Sequence, residues 1–265
     1  ALNRYLEQSG DYEGCALLPF YLVYRALVRA KIEAIRARQT VPESAVCVHS
    51  VRARDEYLGL ARRYIGGKRP WLVLMRGFSG SGKSTVSERL LELSRFVRIR
   101  SDAVRKQLHG LRADARSGSA PDAGIYSKQA GELTYQRLAD LSASTLAAGF
   151  ATLIDATNLT LDQRMRFEHV ARDGHLPLAL VDCVADEATL RRRIQQRAEQ
   201  REDVSEADEM VLERQLRVVD PLTPEESAQT VTVDARYPLD AAALLDALLE
   251  RAQVPVEPPG CDSGG

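Results

Sequence analysis

Residues 77–85 read Gly77-Phe78-Ser79-Gly80-Ser81-Gly82-Lys83-Ser84-Thr85 and match the pattern G-x-x-x-x-G-K-[ST]. The segment follows an apolar, β-rich run, Trp71–Met75, and precedes a helical pattern that begins near residue 83. Glycines in such a loop allow positive φ angles and close backbone approach, so that N–H groups and the positive end of the helix can surround a β-phosphate. The pattern therefore predicts a nucleotide-binding phosphate loop formed by all nine residues.

Two side chains of this loop are expected to carry its chemistry. Lys83 would neutralise oxygens of the β- and γ-phosphates, and the hydroxyl of Ser84 would ligate Mg²⁺. Lys83 is one of five lysines in a chain with 36 basic residues, so its place in the motif is informative. The chain has no Asn-Lys pair and hence no N-K-x-D motif for reading guanine, which favours ATP over GTP. We therefore expect ATP and Mg²⁺ as cofactors.

Short apolar, β-rich runs alternate with helical patterns along the chain from residue 71 onward. The runs are Trp71–Met75, Phe96–Ile99, Thr152–Ile154, Leu178–Val184 and Thr230–Val233. The helical patterns lie at about 83–94, 103–109, 126–148, 160–173, 186–201, 205–219 and 239–252. Strands that alternate with helices form a parallel sheet covered on both faces. The sequence thus predicts an α/β fold with a five-stranded parallel sheet.

The ends of the chain have a different pattern from its centre. Helices are predicted at 16–38 and about 45–65, without intervening strands, and Gly66-Gly67 is a plausible helix end. We therefore expect a helical segment over 1–66 and a phosphate-loop domain over 67–253. The prolines and glycines of 254–265 predict a disordered tail.

The composition is that of an ordinary globular protein, with 45% hydrophobic residues and a formal net charge of −1. No run approaches the roughly 18 apolar residues of a membrane span, and no export signal is visible. The four cysteines are widely spaced, which argues against a disulfide framework or a zinc site. These features predict a cytoplasmic location and no membrane partner, and the near-zero charge weighs against a protein that coats nucleic acid.

Ser101-Asp102 stands at the end of the second predicted strand, and Arg105 follows one helical turn later. Ligands of open α/β sheets collect at the carboxyl ends of strands, so Asp102 would face the γ-phosphate and accept the proton of an attacking hydroxyl. The alternative is that Ser101 or Asp102 simply caps the next helix.

Residues 152–159, TLIDATNL, form an apolar strand that ends in an acid and polar side chains. Asp155 is expected to hold Mg²⁺ through water, and Thr157 and Asn158 to line the acceptor pocket. The alternative for Asp155 is a turn or helix cap.

Arginines at 193, 197 and 201 share one face of the helix predicted after the fourth strand. Such a stripe beside a phosphate loop can act as a lid that stabilises charge on the transferring phosphoryl group. We expect Arg197 and Arg201 to act in catalysis. The alternative is a solvated face of an arginine-rich protein.

The segments GFSGSGKST, SDAVR, LIDATNL and RAEQREDVS, in this order, resemble the kinase group that contains phage polynucleotide 5′-hydroxyl kinase, zeta-type toxins and many bacterial predicted kinases. The resemblance covers about residues 71–250 and implies a P-loop kinase with a five-stranded parallel sheet. It implies that Asp102 is the general base, that Arg105 contacts a phosphate or other polar group of the acceptor, and that Arg164 lies in the substrate site. It also matches Arg197 and Arg201 to the lid arginines.

Residues 1–39 are similar to the last helices of aminoglycoside-phosphotransferase-like domains, which in many bacterial proteins precede this type of kinase. The resemblance implies an upstream phosphotransferase-like domain as a partner within a longer protein. The first 40 residues contain no His-x-Asp triplet, so this segment is not expected to contribute the activity of that domain.

Three functions remain open at this point. The leading hypothesis is an ATP-dependent kinase that phosphorylates a hydroxyl of a small-molecule acceptor. A polynucleotide 5′-hydroxyl kinase is the alternative within enzymes, and a nucleotide-controlled regulatory module with slow ATPase activity is the alternative from another class. An AAA+ motor is not favoured, because such motors need a separate helical lid domain and the chain is short after residue 235.

Overall fold

A computed structural model describes residues 1–65, 70–113, 115, 124–200 and 209–254, with only the backbone given for 197–200. Its sheet has five strands, all parallel, in the order β2-β3-β1-β4-β5. The strands are β1 (Leu72–Arg76), β2 (Val97–Arg100), β3 (Thr152–Asp155), β4 (Leu178–Val184) and β5 (Thr230–Asp234). The predicted α/β fold with a five-stranded parallel sheet is confirmed.

Helices connect the strands and extend the chain at both ends. They are α1 (Leu2–Ser9), α2 (Leu18–Gln39), α3 (Ala45–Ile65), α4 (Lys83–Leu93), α5 (Ser101–Leu108), α6 (Lys128–Ala147), α7 (Leu161–Asp173), α8 (Glu187–Gln200), α9 (Glu209–Val218), α10 (Pro224–Ala228) and α11 (Ala241–Arg251). Of these, α1 and α10 were not predicted. Both are short, and periodicity is a weak signal over one or two turns.

The central strand β1 explains why the sheet sequences are apolar without alternation. Its side chains point alternately to two faces, and both faces are covered. Leu72 and Leu74 pack in one cluster with Ile99 of β2, whereas Val73 and Met75 pack in another beneath α4 and α11. The sheet is therefore buried on both faces. Polar residues occur at the carboxyl ends of its strands, as at Arg100 of β2 and Asp155 of β3.

Helix α1 covers the free edge of β2. The side chain of Asn3 accepts a hydrogen bond from the Arg98 N–H (2.7 Å) and donates one to the Phe96 carbonyl (2.9 Å), as a neighbouring strand would. Leu6 and Tyr12 are buried in the same cluster as the sheet. Residues 2–16 therefore pack into the core, whereas the sequence pattern placed all of 1–66 in a separate segment.

Helices α2 and α3 form an antiparallel hairpin. Ala26 and Ala30 of α2 are buried against α3, which allows close packing. The opposite face of α2, with the preceding residue Leu17, exposes large apolar side chains, namely Leu17, Phe20, Tyr21, Tyr24, Leu27, Val28, Ile32 and Ile35.

Candidate active site

The phosphate loop connects β1 to α4 at the carboxyl edge of the sheet. Gly77 has a φ of 141° and Gly82 a φ of 94°, a region that side chains rarely adopt. A Cβ atom at Gly77 would clash with the Cys183 carbonyl oxygen, and one at Gly82 would lie 2.7 Å from the Ala235 Cβ. Both backbone conformation and packing therefore require glycine at these positions.

A cavity of about 1380 Å³ opens above the loop. Six of the nine predicted loop residues line it, namely Ser79, Gly80, Gly82, Lys83, Ser84 and Thr85. The other three lie beneath it: Phe78 packs against Leu190, Ile194 and Leu212, Ser81 is buried, and the Gly77 N–H donates to the Thr157 carbonyl (3.1 Å). The loop thus presents one face to the cavity and rests with the other on the core.

Lys83 curls back over the loop that it follows. Its Nζ donates to the carbonyl oxygens of Gly77 (2.9 Å) and Phe78 (2.8 Å) while its side chain lines the cavity. These two hydrogen bonds hold the ammonium group at the wall of the cavity beside the loop.

Asp102 and Arg105 also line this cavity, from the first turns of α5 directly after β2. The Arg105 Nη1 donates to Asp102 Oδ1 at 2.7 Å, and the guanidinium lies 5.2 Å from the centre of the Tyr126 ring. Asp102 therefore has a cationic neighbour that fixes one of its oxygens, and it faces the loop across the cavity.

Asp155 lies at the end of β3 and lines the cavity together with Ser84. Its Oδ2 accepts a hydrogen bond from the Ser87 hydroxyl (3.2 Å) and lies 3.8 Å from Arg100 Nε. A hydroxyl and a carboxylate are oxygen donors of the kind that Mg²⁺ prefers, so these residues fit the metal expected with ATP. Among the described residues no group of three or more His, Cys, Asp or Glu could hold a metal, so most ligands of a Mg²⁺ here would be phosphate oxygens and water.

Thr157 and Asn158 were both predicted to line the acceptor pocket, and of the two only Thr157 lines this cavity. Asn158 is fully buried with a φ of 46°, and its Nδ2 donates to the Met75 carbonyl (2.8 Å) at the start of the phosphate loop. Its backbone N–H donates to the hydroxyl of Tyr135, which in turn contacts the Thr157 hydroxyl (3.2 Å). Asn158 therefore lies below the cavity, where its side-chain amide links the turn after β3 to strand β1.

Arg164, predicted to lie in the substrate site, is fully buried outside the cavity. Its guanidinium forms a two-point ion pair with Glu226 (Nη2–Oε2 3.0 Å) and donates to the Leu159 and Pro221 carbonyls. The structure therefore does not bring Arg164 to the substrate. Its position on α7 directs the side chain toward α10, a helix that the sequence pattern did not reveal.

The predicted lid arginines lie outside what the structure describes: Arg201 is outside the described residues, and only the backbone is given for Arg197. Arg193, the first member of the stripe, lines the cavity and donates to the carbonyls of Gly80 (3.3 Å) and Ala235 (2.7 Å). The helix that carries the stripe therefore begins against the phosphate loop.

Sequence reasoning missed two residues of the site. Gln215 on α9 lines the cavity and contacts Ser79, and Tyr135 on α6 holds the Thr157–Asn158 turn. Neither lies in a recognisable motif, and each reaches the site only through tertiary packing. The helical spacing of α9 and α6 was the only available signal.

Burial controls the protonation of two groups near the loop. It raises the pKa of the Cys183 thiol to about 12, so that this cysteine beneath Gly77 stays neutral. It also raises the pKa of Tyr135, which keeps the phenol protonated. The Tyr135 oxygen accepts a hydrogen bond from the Asn158 N–H and forms a second one with the Thr157 hydroxyl, in which either oxygen can be the donor.

Residues 72–222 match the AAA_33 family, which is described as an AAA domain, and the chain belongs to this family. An uncharacterized protein of Mycobacterium tuberculosis (strain ATCC 25618 / H37Rv) is 30% identical over 197 residues, which are 74% of this chain and 38% of that relative. The chain therefore matches well under half the length of its curated relatives.

Two solved structures share the fold. A Chloroflexus aurantiacus J-10-fl protein provisionally assigned as a kinase has a TM-score of 0.53 and 22% identity, covering 69% of this chain and 99% of that one. A sugar kinase from Janibacter sp. HTCC2649 has a TM-score of 0.50 and 19% identity, covering 70% of this chain and 95% of that one.

The described residues contain neither a helical domain after β5 nor a membrane-spanning helix. After β5 they contain one helix, α11, and no separate helical domain of the kind that an AAA+ motor needs. Within the same residues, no helix has the length and apolar character required to cross a bilayer.

Proposed function

We propose that this AAA_33 family member is an ATP-dependent kinase that transfers the γ-phosphate of Mg-ATP to a hydroxyl of a small-molecule acceptor. The observation that carries the proposal is the placement of Asp102 in the same cavity as Lys83. A module that only binds nucleotide, or is regulated by nucleotide binding, needs no carboxylate opposite the phosphate loop. A kinase needs one to orient the acceptor hydroxyl and take its proton.

The chain's own residues supply the remaining roles in this proposal. Backbone N–H groups of the loop and Lys83 hold the phosphates, while Arg105 keeps Asp102 oriented and meets a polar group of the acceptor. Thr157 lies at the acceptor side, where its hydroxyl is oriented by Tyr135. Ser84 and Asp155 would hold Mg²⁺, which neutralises charge on the phosphates when it is bound.

Arginine side chains complete the proposal. Arg193 contacts the loop, and Arg197 and Arg201, on the sequence prediction, close over the phosphates and exclude water. An arginine in such a position contributes about 10³–10⁵ in rate, because it stabilises charge that develops on the phosphoryl group. Exclusion of water matters since an open site would lose phosphate to hydrolysis.

A sugar or sugar-like alcohol is the acceptor class to test first. The choice follows from the fold that the chain shares with the Janibacter sugar kinase. Arg105 and Arg166 lie along the cavity and would suit an acceptor that carries an anionic group as well as its hydroxyl.

The testing experiment measures transfer of γ-labelled phosphate from Mg-ATP to a panel of sugars and a pooled metabolite extract, with a 5′-hydroxyl oligonucleotide in parallel. We expect label on a small molecule, and a loss of about 10²–10⁴ in transfer for Asp102→Asn at nearly unchanged ATP affinity. Asp140→Asn, an exposed aspartate of α6 that contacts Gln136, is the matched control. Label only on the oligonucleotide would contradict the small-molecule acceptor and favour a polynucleotide 5′-hydroxyl kinase. Slow phosphate release without transfer would favour a regulatory module.

An upstream phosphotransferase-like domain is proposed as the partner of the α2–α3 hairpin. The outward apolar face of α2 supports this proposal, because contiguous exposed apolar surface marks interaction sites. In a longer protein that contains both parts, Tyr24→Glu should increase hydrogen exchange in the upstream domain. Unchanged exchange would show that this face is not the interface.

A further inference from the structure

Two hydrogen bonds join the turn after β3 to the point where the chain leaves β1. The Asn158 Nδ2 donates to the Met75 carbonyl at 2.8 Å, and the Gly77 N–H donates to the Thr157 carbonyl at 3.1 Å. The regular pairing of β1 with β3 ends at Leu74, so both bonds lie beyond the ladder of the sheet. One of them comes from a side chain, and the residue at position 158 therefore decides whether it forms.

The backbone of Asn158 is held in the direction that this bond needs. Its φ of 46° lies in the left-handed region, which asparagine adopts more readily than most other residues. Its N–H donates to the Tyr135 hydroxyl at 3.2 Å, and its carbonyl accepts from Arg164 Nη1 at 3.4 Å. Asn158 is fully buried, and a hydrogen bond shielded from water in this way is stronger than one at the surface.

The segment that Asn158 holds also carries a group that fixes Lys83. The Gly77 carbonyl accepts a hydrogen bond from Lys83 Nζ at 2.9 Å, while the Gly77 N–H is bonded to the turn. Gly77 packs so closely against the Cys183 carbonyl that a Cβ atom is excluded. A displacement of the backbone at 75–77 would therefore move the carbonyl to which the ammonium group is bonded.

We propose that Asn158 is a positioning residue for nucleotide binding. Its carboxamide fixes the backbone where the phosphate loop begins, and through Gly77 it fixes the position of the Lys83 ammonium group. The inference rests on one part of the proposed function, the binding of a nucleotide at the loop, and not on transfer to an acceptor. The competing explanation is that asparagine occupies this position only because the turn needs a positive φ.

Asn158→Gly separates the two explanations. Glycine adopts a φ of 46° without strain but has no carboxamide, so it keeps the turn and removes the bond to Met75. A fluorescent ATP analogue is titrated in the presence of Mg²⁺. We expect its dissociation constant to rise by about tenfold (1.4 kcal/mol), as for the loss of one buried hydrogen bond that acts on binding. A wild-type dissociation constant would show that Asn158 only forms the turn and would overturn the proposal.

His175→Gly is the matched control. His175 has a φ of 51° and lies exposed in the turn between α7 and β4, outside the cavity. The substitution therefore makes the same change in backbone freedom without touching the loop. We expect a wild-type dissociation constant. A loss equal to that of Asn158→Gly would overturn the proposal, because it would trace the effect to glycine itself.

Amide exchange at Gly77 provides a readout that support of the fold alone would not change. In protein labelled with [15N]glycine, it is compared with exchange at Gly149, whose N–H donates to the Leu146 carbonyl at 2.9 Å after the end of α6. Asn158→Gly should accelerate exchange at Gly77 by about tenfold or more and leave Gly149 unchanged. Equal acceleration at both amides would indicate general destabilisation and would overturn the proposal, as would wild-type exchange at Gly77.

Tyr135→Phe tests the turn from its other side and keeps the ring that packs against Phe167. It removes the acceptor of the Asn158 N–H, and we expect the dissociation constant to rise by a factor of about two to five. Tyr12→Phe is its control, because Tyr12 is also buried and its hydroxyl donates to the Arg98 carbonyl at 3.3 Å, away from the cavity.

The Tyr135 variant leaves the carboxamide in place, so it also serves if Asn158→Gly does not fold. Wild-type binding by Tyr135→Phe would contradict the proposal. Equal losses in Tyr135→Phe and Tyr12→Phe would contradict it as well, because any buried hydroxyl would then have the same effect.

These outcomes do not depend on whether the chain is a kinase. If the titrations and the exchange give the expected results but no acceptor receives phosphate, the proposed transfer is wrong and the role of Asn158 stands. If the wild-type chain transfers phosphate and Asn158→Gly binds the ATP analogue with wild-type affinity, the proposed function stands and the role of Asn158 is wrong.

Discussion

Gln215 makes both of its carboxamide hydrogen bonds to one residue of the phosphate loop, Ser79. The Oε1 atom accepts from the Ser79 N–H at 2.8 Å, and the Nε2 atom donates to the Ser79 hydroxyl at 3.0 Å. Leu212 and Leu216, on the same helix α9, pack in the cluster that holds Phe78. Helix α9 is therefore attached to two adjacent residues of the phosphate loop. It contacts Ser79 through the hydrogen bonds of Gln215 and Phe78 through apolar packing.

The Gln215 contact is tested with two substitutions. Gln215→Ala removes both hydrogen bonds, about 1–3 kcal/mol in sum, and should accelerate hydrogen exchange of the α9 amides. Gln215→Glu retains an acceptor but places a negative charge beside the loop, so it should weaken ATP binding more than alanine does. Gln195→Ala on the exposed face of α8 is the control. Equal ATP affinity in the alanine and glutamate variants would contradict the expected repulsion.

The packing of the loop gives a second prediction. In Gly82→Ala the new Cβ meets the Ala235 Cβ at 2.7 Å, and the residue also keeps a φ of 94°. In Gly149→Ala the φ is 84° but no atom lies within 4 Å of the new Cβ, so only backbone strain remains. Both variants should lose about 1–2 kcal/mol of stability from strain. Only Gly82→Ala should also lose ATP affinity, by more than about tenfold (1.4 kcal/mol), and equal nucleotide binding in the two would contradict it.

The sheet and the loop could be predicted because their signals are local. The run Trp71–Met75 is apolar without alternation, as a strand buried on both faces must be, and 77–85 is a contiguous motif. Strand boundaries differ from the prediction by one residue at most at β1 and β2. Asp102, Asp155 and Thr157 could be placed at the carboxyl edge of the sheet for a similar reason, since each lies shortly after the end of a predicted strand.

The supporting contacts could not be predicted because they join residues far apart in the chain. Glu7 meets Arg100 across 93 residues, and Gln215 meets Ser79 across 136. Arg164 shows the limit of reasoning from a family resemblance. The resemblance placed it in the substrate site, yet its partner is Glu226, which lies in a helix without a sequence signature. A polar residue's role depends on which buried group it must satisfy, and that depends on the tertiary fold.

Arg164 gives a third prediction, which separates a structural role from a substrate role. Arg164→Met leaves Glu226 buried and unpaired, so it should cost about 3–5 kcal/mol in the free energy of unfolding measured with urea. In the folded fraction, ATP affinity should remain close to wild type because Arg164 does not line the cavity. Glu226→Gln together with Arg164→Met should recover part of the loss. Unchanged stability with a raised KM for the acceptor would instead support the substrate assignment.

Glu168 lies beside this ion pair and gives a prediction about pH. Burial, followed by the charge of Glu226 and a hydrogen bond to it, raises the pKa of Glu168 above its ordinary value. Burial opposes ionisation of Glu226 as well, but hydrogen bonds from Arg164 and the Thr223 N–H outweigh it and lower the pKa of Glu226. The pKa values of the two carboxyl groups are therefore shifted in opposite directions.

The sign for Glu168 follows from its raised pKa. The folded state holds the Glu168 proton more tightly than the unfolded state, so this contribution to stability is full below the ordinary glutamate pKa of about 4.3 and is lost as pH rises through the raised value. Glutamine at this position is neutral at every pH and can still donate to Glu226. Glu168→Gln should therefore raise Tm relative to wild type at pH 7 to 8, with the difference shrinking as the pH falls toward about 4. Thermal melts across this range provide the measurement, and a wild type that is the more stable protein at pH 8 would contradict the assignment.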